Sequence, residues 1–172
     1  DGIGAHGIRI NVKDEYEEMI ATRPTIEVEG QRLPSLYEAH YAADACQPLH
    51  TTIHHDGWAL PLGGSPFEGT HQRVDALLER APFDRAGALA GVEAAALPDV
   101  AAAVRAEILA SHALVDRVYR LAPLLESPEG VARPEVVAFA CERYAAGARF
   151  VASLWLTAWE RSSSIELPLW AR

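Results

Sequence analysis

The chain has 172 residues, of which 49% are hydrophobic, and a formal net charge of −9. That length buries a proper core without disulfides or metals as staples, and the wealth of Ala, Leu and Val favours helices over sheet. The acidic balance leaves no general basic face, which excludes a tight, sequence-reading binder of duplex DNA.

No stretch is apolar for long enough to span a membrane. No signal-peptide pattern is visible, and because the chain opens at Asp1 without a methionine, a leader or longer N-terminal piece is expected either to have been removed or to lie outside this sequence. Cys46 and Cys141 fit no CxxC site, and they are expected to be buried free thiols. One compact all-α domain over residues 1–172 is the expected organisation.

In chain order, residues 1–11 hold three glycines and no helical period, so they read as irregular. Asn11 then caps a short helix whose apolar face is Tyr16, Met19 and Ile20 and which ends near Arg23, before Pro24. Its Asp14, Glu15, Glu17 and Glu18 read as a solvated face near a helix N-terminus. Residues 25–30 alternate and predict a short extended piece. A helix follows over 31–47, with Leu36, Tyr37, Tyr41 and Ala45 packing around it. Pro48 cannot continue it, because proline lacks the N–H and clashes with the carbonyl of residue 44.

Residues 50–69 read as a long loop, and such loops inside compact domains are usually functional. His54, His55, Asp56, Trp58 and Phe67 lie in it. The histidines and Asp56 are candidates for touching substrate or a further metal, against a plain reading as solvated loop residues. Trp58 and Phe67 stack a base, line a lipid groove, or simply anchor the loop. Thr70 is placed to cap a helix running to Arg80, before Pro82. Residues 84–96 are Ala-rich and predict a weak helix. Pro98 opens a long predicted helix to Ala122, buried through Val100, Val104, Ile108, Val115, Val118 and Ala122. His112 on it reads as structural.

Ser127–Gly130 reads as a turn. Pro134 opens the last helix, to about Arg161, with the stripe Val137, Cys141, Tyr144, Ala148, Val151, Trp155 and Ala158 expected inside. Its small residues Ala145 to Ala148 permit close helix approach. Residues 162–172 read as a less ordered tail. There is no internal repeat, and Gly63-Gly64 alone makes no phosphate-cradling loop.

The chemistry concentrates in His40-Tyr-Ala-Ala-Asp44-Ala-Cys-Gln-Pro-Leu-His50, an H-x3-D-x5-H pattern. On a helix His40 and Asp44 share one face, and a break at Pro48 lets His50 swing back toward them. His71 and Asp75 form a second H-x3-D pair. Three imidazoles and two carboxylates exceed one open tetrahedral zinc site. They suit two ions, spaced ~3.5–4 Å apart in two-metal enzymes, with Asp44 as the bridging carboxylate and the catalytic candidate.

The run H-Y-x-x-D-x-x-Q-P-L-H resembles the zinc-dependent phospholipase C and single-strand-specific zinc nuclease superfamily, whose pattern is H-x-x-G-D-x-x-Q-P-L/M-H with H-x3-D or H-x3-E downstream. Ala43 stands where that family has glycine, and Cys46 falls at a variable position. His71 and Asp75 match the second motif, whose Asp form is nuclease-like and whose Glu form is phospholipase-like. Ser153-Leu-Trp-Leu-Thr-Ala-Trp159 resembles the A-x-x-L-W-x-x-A-W helix of bacterial members. The resemblance covers roughly residues 35–162.

The resemblance implies a multi-helix fold holding a zinc cluster. His40 and Asp44 hold one Zn2+ with upstream help, His50, His71 and Asp75 hold a second, and a hydroxide between the metals attacks phosphorus. An upstream Asp and His complete the first ion in that family; Asp1 and His6 are the available residues, at a shorter spacing, and His6 otherwise reads as an exposed loop histidine. The family's third ion uses the free amine and carbonyl of an N-terminal tryptophan. A chain opening at Asp1 is expected to lack that site, which bears on full activity. The implied substrate is a phosphodiester, either single-stranded nucleic acid or phospholipid, and the implied location is secreted or periplasmic.

Two other readings stand beside it. One is a catalytically impaired, metal-stabilised binding or structural protein on the same fold. The other is a histidine/aspartate phosphohydrolase, for which His55-Asp56 is the single adjacent pair.

Overall fold

The computed structural model describes residues 27–28, 31–32, 35–58, 60 and 65–162. Asp1, His6, the helix expected after Asn11, Gly63-Gly64 and the tail after Ser162 lie outside them. The architecture is all-α. Its one ladder is minimal: β1 (Glu27–Val28) pairs antiparallel with β2 (Gln31–Arg32) where a short extended piece is expected. Helix α1 (Ser35–Ala45) leads into a 3-10 turn, Pro48–Thr51. Then come α2 (Thr70–Asp75), α3 (Leu77–Arg80), α4 (Arg85–Ala88), α5 (Val100–His112), α6 (Val115–Leu121), a 3-10 turn Ala122–Glu126, α7 (Pro128–Val131) and the long α8 (Pro134–Ser162).

Helix α1 stops at Ala45, two residues short of the expected end. Gln47 precedes a proline and is pushed to extended backbone, φ −94° and ψ 116°. Pro48 then opens the 3-10 turn, and Leu49 inside that turn is fully buried. Leu49 belongs to the main core with Val74, Leu77, Val118, Leu125 and Phe139. A smaller core of Ala42, Cys46 and Phe150 lies between α1 and α8, with Val104 of α5 packed on it.

The two cores explain the largest departure from expectation. The helix predicted from Pro98 to Ala122 is broken after His112. One straight helix cannot point Val104 at the small core and Val115, Val118 and Leu121 at the large one. The break re-aims the second half and leaves Ile108 and Leu109 exposed. Asp99, not Pro98, sets the start, its carboxylate accepting from the Ala102 N–H at 2.9 Å.

The weak helix expected over 84–96 shrinks to one turn, capped by Asp84. Beyond it Gly91 takes a positive φ of 79°, and the chain then runs along α8. There Ser153 Oγ accepts from Ala95 N–H at 3.2 Å, and Thr157 Oγ1 accepts from Leu97 N–H at 2.7 Å. Arg161 donates to the carbonyls of Leu97 and Pro98 at 2.8 and 3.0 Å. Backbone groups satisfied by these side chains have no need of a helix.

The Ser127–Gly130 turn is itself helical, with Ser127 Oγ accepting from Gly130 N–H at 3.0 Å. A Cβ at Gly130 would stand 2.0 Å from the Leu124 carbonyl oxygen, so only glycine fits. Helix α8 spans its expected range, but its core face is Val136, Phe139, Ala140, Phe150, Ser153 and Thr157. The stripe expected inside is only partly buried, and Trp155 is 44% exposed. Helical period alone does not tell a core stripe from the neighbouring stripe, which here borders a cavity.

Cys46 and Cys141 are free thiols, the first buried and the second half-buried. Burial and then Glu107 push the Cys46 thiol up to about 12, which leaves it unreactive. Among the described residues no helix is long and apolar enough to cross a membrane.

Leu49→Ala should cost about 2–5 kcal/mol of stability, read as a lowered urea midpoint, because it empties a fully enclosed site.

Candidate metal centre

Three of the candidate ligands, His50, His71 and Asp75, each follow a buried residue in the chain. Leu49 precedes His50, Thr70 precedes His71, and Val74 precedes Asp75; Leu49 and Thr70 are completely enclosed. The core therefore fixes three backbones whose next side chains emerge at one place. His50 Nε2 lies 3.1 Å from His71 Nε2. Asp75 Oδ2 lies 3.1 Å from His71 Nε2, and Asp75 Oδ1 lies 3.7 Å from His50 Nε2.

Two nitrogens bound to one tetrahedral zinc at its usual bond lengths sit about 3.3 Å apart. The triangle has that size. Among the described residues, His50, His71 and Asp75 are the one group that could hold a metal ion. Two imidazole nitrogens and a carboxylate are the donor set of an open zinc site with one position left for water or substrate.

The other atoms of these residues are also held. His50 Nδ1 faces Asp44 Oδ1 at 3.4 Å. A proton on Nδ1 leaves the lone pair of Nε2 directed into the triangle, the way carboxylates commonly orient metal-ligating histidines. Gln47 works in two directions. Its Oε1 accepts from the Leu49 N–H, and its Nε2 donates to Asp75 Oδ1 at 2.8 Å. One side chain thus caps the 3-10 turn and positions a ligand from another helix.

Helix α2 is capped differently from expectation. Gly69 holds the N-cap position at φ 80°, and the Thr70 hydroxyl donates to the Phe67 carbonyl. The His71 N–H is taken instead by Asp56 Oδ1 at 3.1 Å. Asp56 therefore anchors the ligand's backbone from within the loop. The sequence marks Asp56 only as a candidate for substrate or metal contact, and its capping of a helix fifteen residues on has no local signal.

His40 contacts Asp44 Oδ2 at 3.3 Å and is 71% exposed. Asp44 stands between His40 and His50, and the His50 ring separates it from the triangle. The upstream partners expected for this pair, Asp1 and His6, lie outside the described residues. His55 is near His71, with ring centroids 6.1 Å apart. His54 and Trp58 stack on each other at 4.3 Å, and Trp58 meets Tyr119 edge-on at 5.2 Å. The Tyr119 hydroxyl accepts from Gly57 N–H at 3.0 Å and donates to the His54 carbonyl. This phenol pins the loop to the core. His112 Nδ1 lies 3.0 Å from the Thr51 carbonyl, a structural contact as expected.

Burial raises the Asp44 carboxyl, but the hydrogen-bonding and charge of His50, then the charges of His40 and His71, outweigh it and leave Asp44 below its ordinary value. His50 moves up from its ordinary value: the hydrogen-bonding Asp44 carboxylate raises it, burial opposes, and the charges of Asp44 and Asp75 add. A proton on His50 satisfies the two carboxylates where a cation would.

In metal-free protein, NMR titration should place His50 above the ordinary imidazole range, and Asp44→Asn should bring it back down. Because its proton competes for the same nitrogen, zinc uptake should weaken as pH falls through that raised value. No protein-family model, curated protein or solved structure matches the chain.

Proposed function

We propose that the chain is a zinc-dependent phosphodiester hydrolase. The observation that carries the reading is the convergence of His50 Nε2, His71 Nε2 and the Asp75 carboxylate from two separate segments at zinc-ligand spacing. The H-x3-D-x5-H and H-x3-D motifs that supply them resemble those of the zinc phospholipase C and nuclease superfamily.

A zinc ion supplies two things when bound: it lowers the pKa of water to about 7, and it neutralises charge on phosphoryl oxygens. The chain's own residues do the rest. His50, His71 and Asp75 are the holders. Asp44 fixes the His50 tautomer, and Gln47 fixes the Asp75 rotamer. In the overall reaction water's oxygen bonds to phosphorus, one P–O ester bond breaks, and the departing oxygen takes a proton. By the resemblance alone, a second ion would be held by His40 and Asp44, which lie 3.3 Å apart.

One specific observation favours a second reading. The high exposure of His40 leaves a single three-ligand group among the described residues. That suits a one-ion, metal-stabilised binding or structural protein.

Elemental analysis of protein purified without chelator, with assay on bis(p-nitrophenyl) phosphate, separates the two. The hydrolase reading expects two zinc ions per chain and turnover abolished by chelator. His71→Ala and Asp75→Ala should lose zinc and about 100-fold or more of the rate. Asp44→Asn should lose about 10- to 100-fold if it only orients His50, and one zinc equivalent as well if it is a ligand. One ion without turnover supports the binding protein, and no zinc uptake overturns both.

A further inference from the structure

A cavity of about 800 Å³ opens beside the metal-binding group, with His40, Asp44, His50 and Asp75 on its wall. The rest of the wall is mainly apolar and comes largely from α8. Tyr144, Val151 and Trp155 line it there, residues whose period alone placed them in the core. This is the make-up of a small-molecule site: apolar walls, a few convergent polar groups and the volume of a modest ligand.

Two residues of α8 show what the cavity is fitted for. Arg143 is the wall's one cationic side chain apart from its histidines. Its Nε is enclosed and has no hydrogen-bond partner, so the donors open to a ligand are those of the guanidinium's outer nitrogens. Its Nη1 makes only a long 3.5 Å contact with the Cys46 carbonyl, and no carboxylate among the described residues pairs with it. A guanidinium left with spare donors is suited to a planar, two-pronged hold on a phosphate. Gly147 lies one turn further along α8. Glycine inside a 29-residue helix weakens it. Close helix approach does not explain its presence, because a Cβ there would meet nothing within 4 Å. Its small size keeps the cavity wide.

We propose that this cavity binds an anionic phosphate ester carrying an apolar substituent. Arg143 holds phosphoryl oxygens, and the wall of Tyr144, Val151 and Trp155 takes the substituent. As a substrate site it rests on the phosphodiesterase reading. Arg143 then anchors the ester beside His50 and Asp75, and the apolar wall selects esters whose oxygen carries an apolar group.

The test is calorimetric titration of the purified chain with hexyl phosphate below its micelle concentration, in parallel with zinc analysis of every variant. Hexyl phosphate should bind more tightly than inorganic phosphate. Arg143→Gln should weaken it about 10- to 100-fold, and Arg143→Lys should recover part of the loss. Gly147→Leu, which fills open space, should abolish binding while circular dichroism and zinc content stay unchanged. No binding to the unmodified chain, equal affinity for inorganic phosphate, or affinity unchanged in both Arg143→Gln and Gly147→Leu overturns the proposal. Binding that depends on Arg143 and Gly147 in a chain that takes up no zinc upholds the cavity and overturns the zinc reading instead.

Discussion

The burial of Leu49 is the constraint on which the site depends. Pro48 ends α1 and commits the next residues to a tight turn, and Leu49 is the part of that turn driven out of water. A turn of four residues has little stability of its own, since its hydrogen bonds are few and poorly aligned. Its geometry is borrowed from the core. With Leu49 seated among residues from α2, α3, α6 and α8, His50 can only emerge toward Asp44 on one side and His71 on the other. Gln47 reinforces this by bonding to both the turn and Asp75.

The segments that carry the candidate ligands can be read in the sequence because each is local. His40 and Asp44, and His71 and Asp75, stand at helical spacing, and the effect of Pro48 on its neighbours is a fixed property of the proline ring. Those rules required no knowledge of the rest of the fold. The orientation of His50 by Asp44 also follows from the break at Pro48.

What the sequence concealed depends on partners far along the chain. Asp56 caps α2 from fifteen residues away in place of Thr70, and Tyr119 reaches across 62 positions to hold Gly57. Neither carries a local signature. The α8 stripe failed for another reason. Adjacent faces of that helix are both apolar enough to pass for a core, and only the arrangement of α1 and α3 beside it leaves one face lining a hollow. The break after His112 has the same origin, because two separate cores compete for one apolar period.

Asp56 also ties together two things usually treated apart. Its carboxylate holds the backbone of His71, while its neighbours in the loop are pinned through Gly57 and His54 to Tyr119. The backbone of His71 and the segment His54–Gly57 are thus held in one connected set of hydrogen bonds. One carboxylate therefore joins the start of α2 to the segment that the Tyr119 phenol pins.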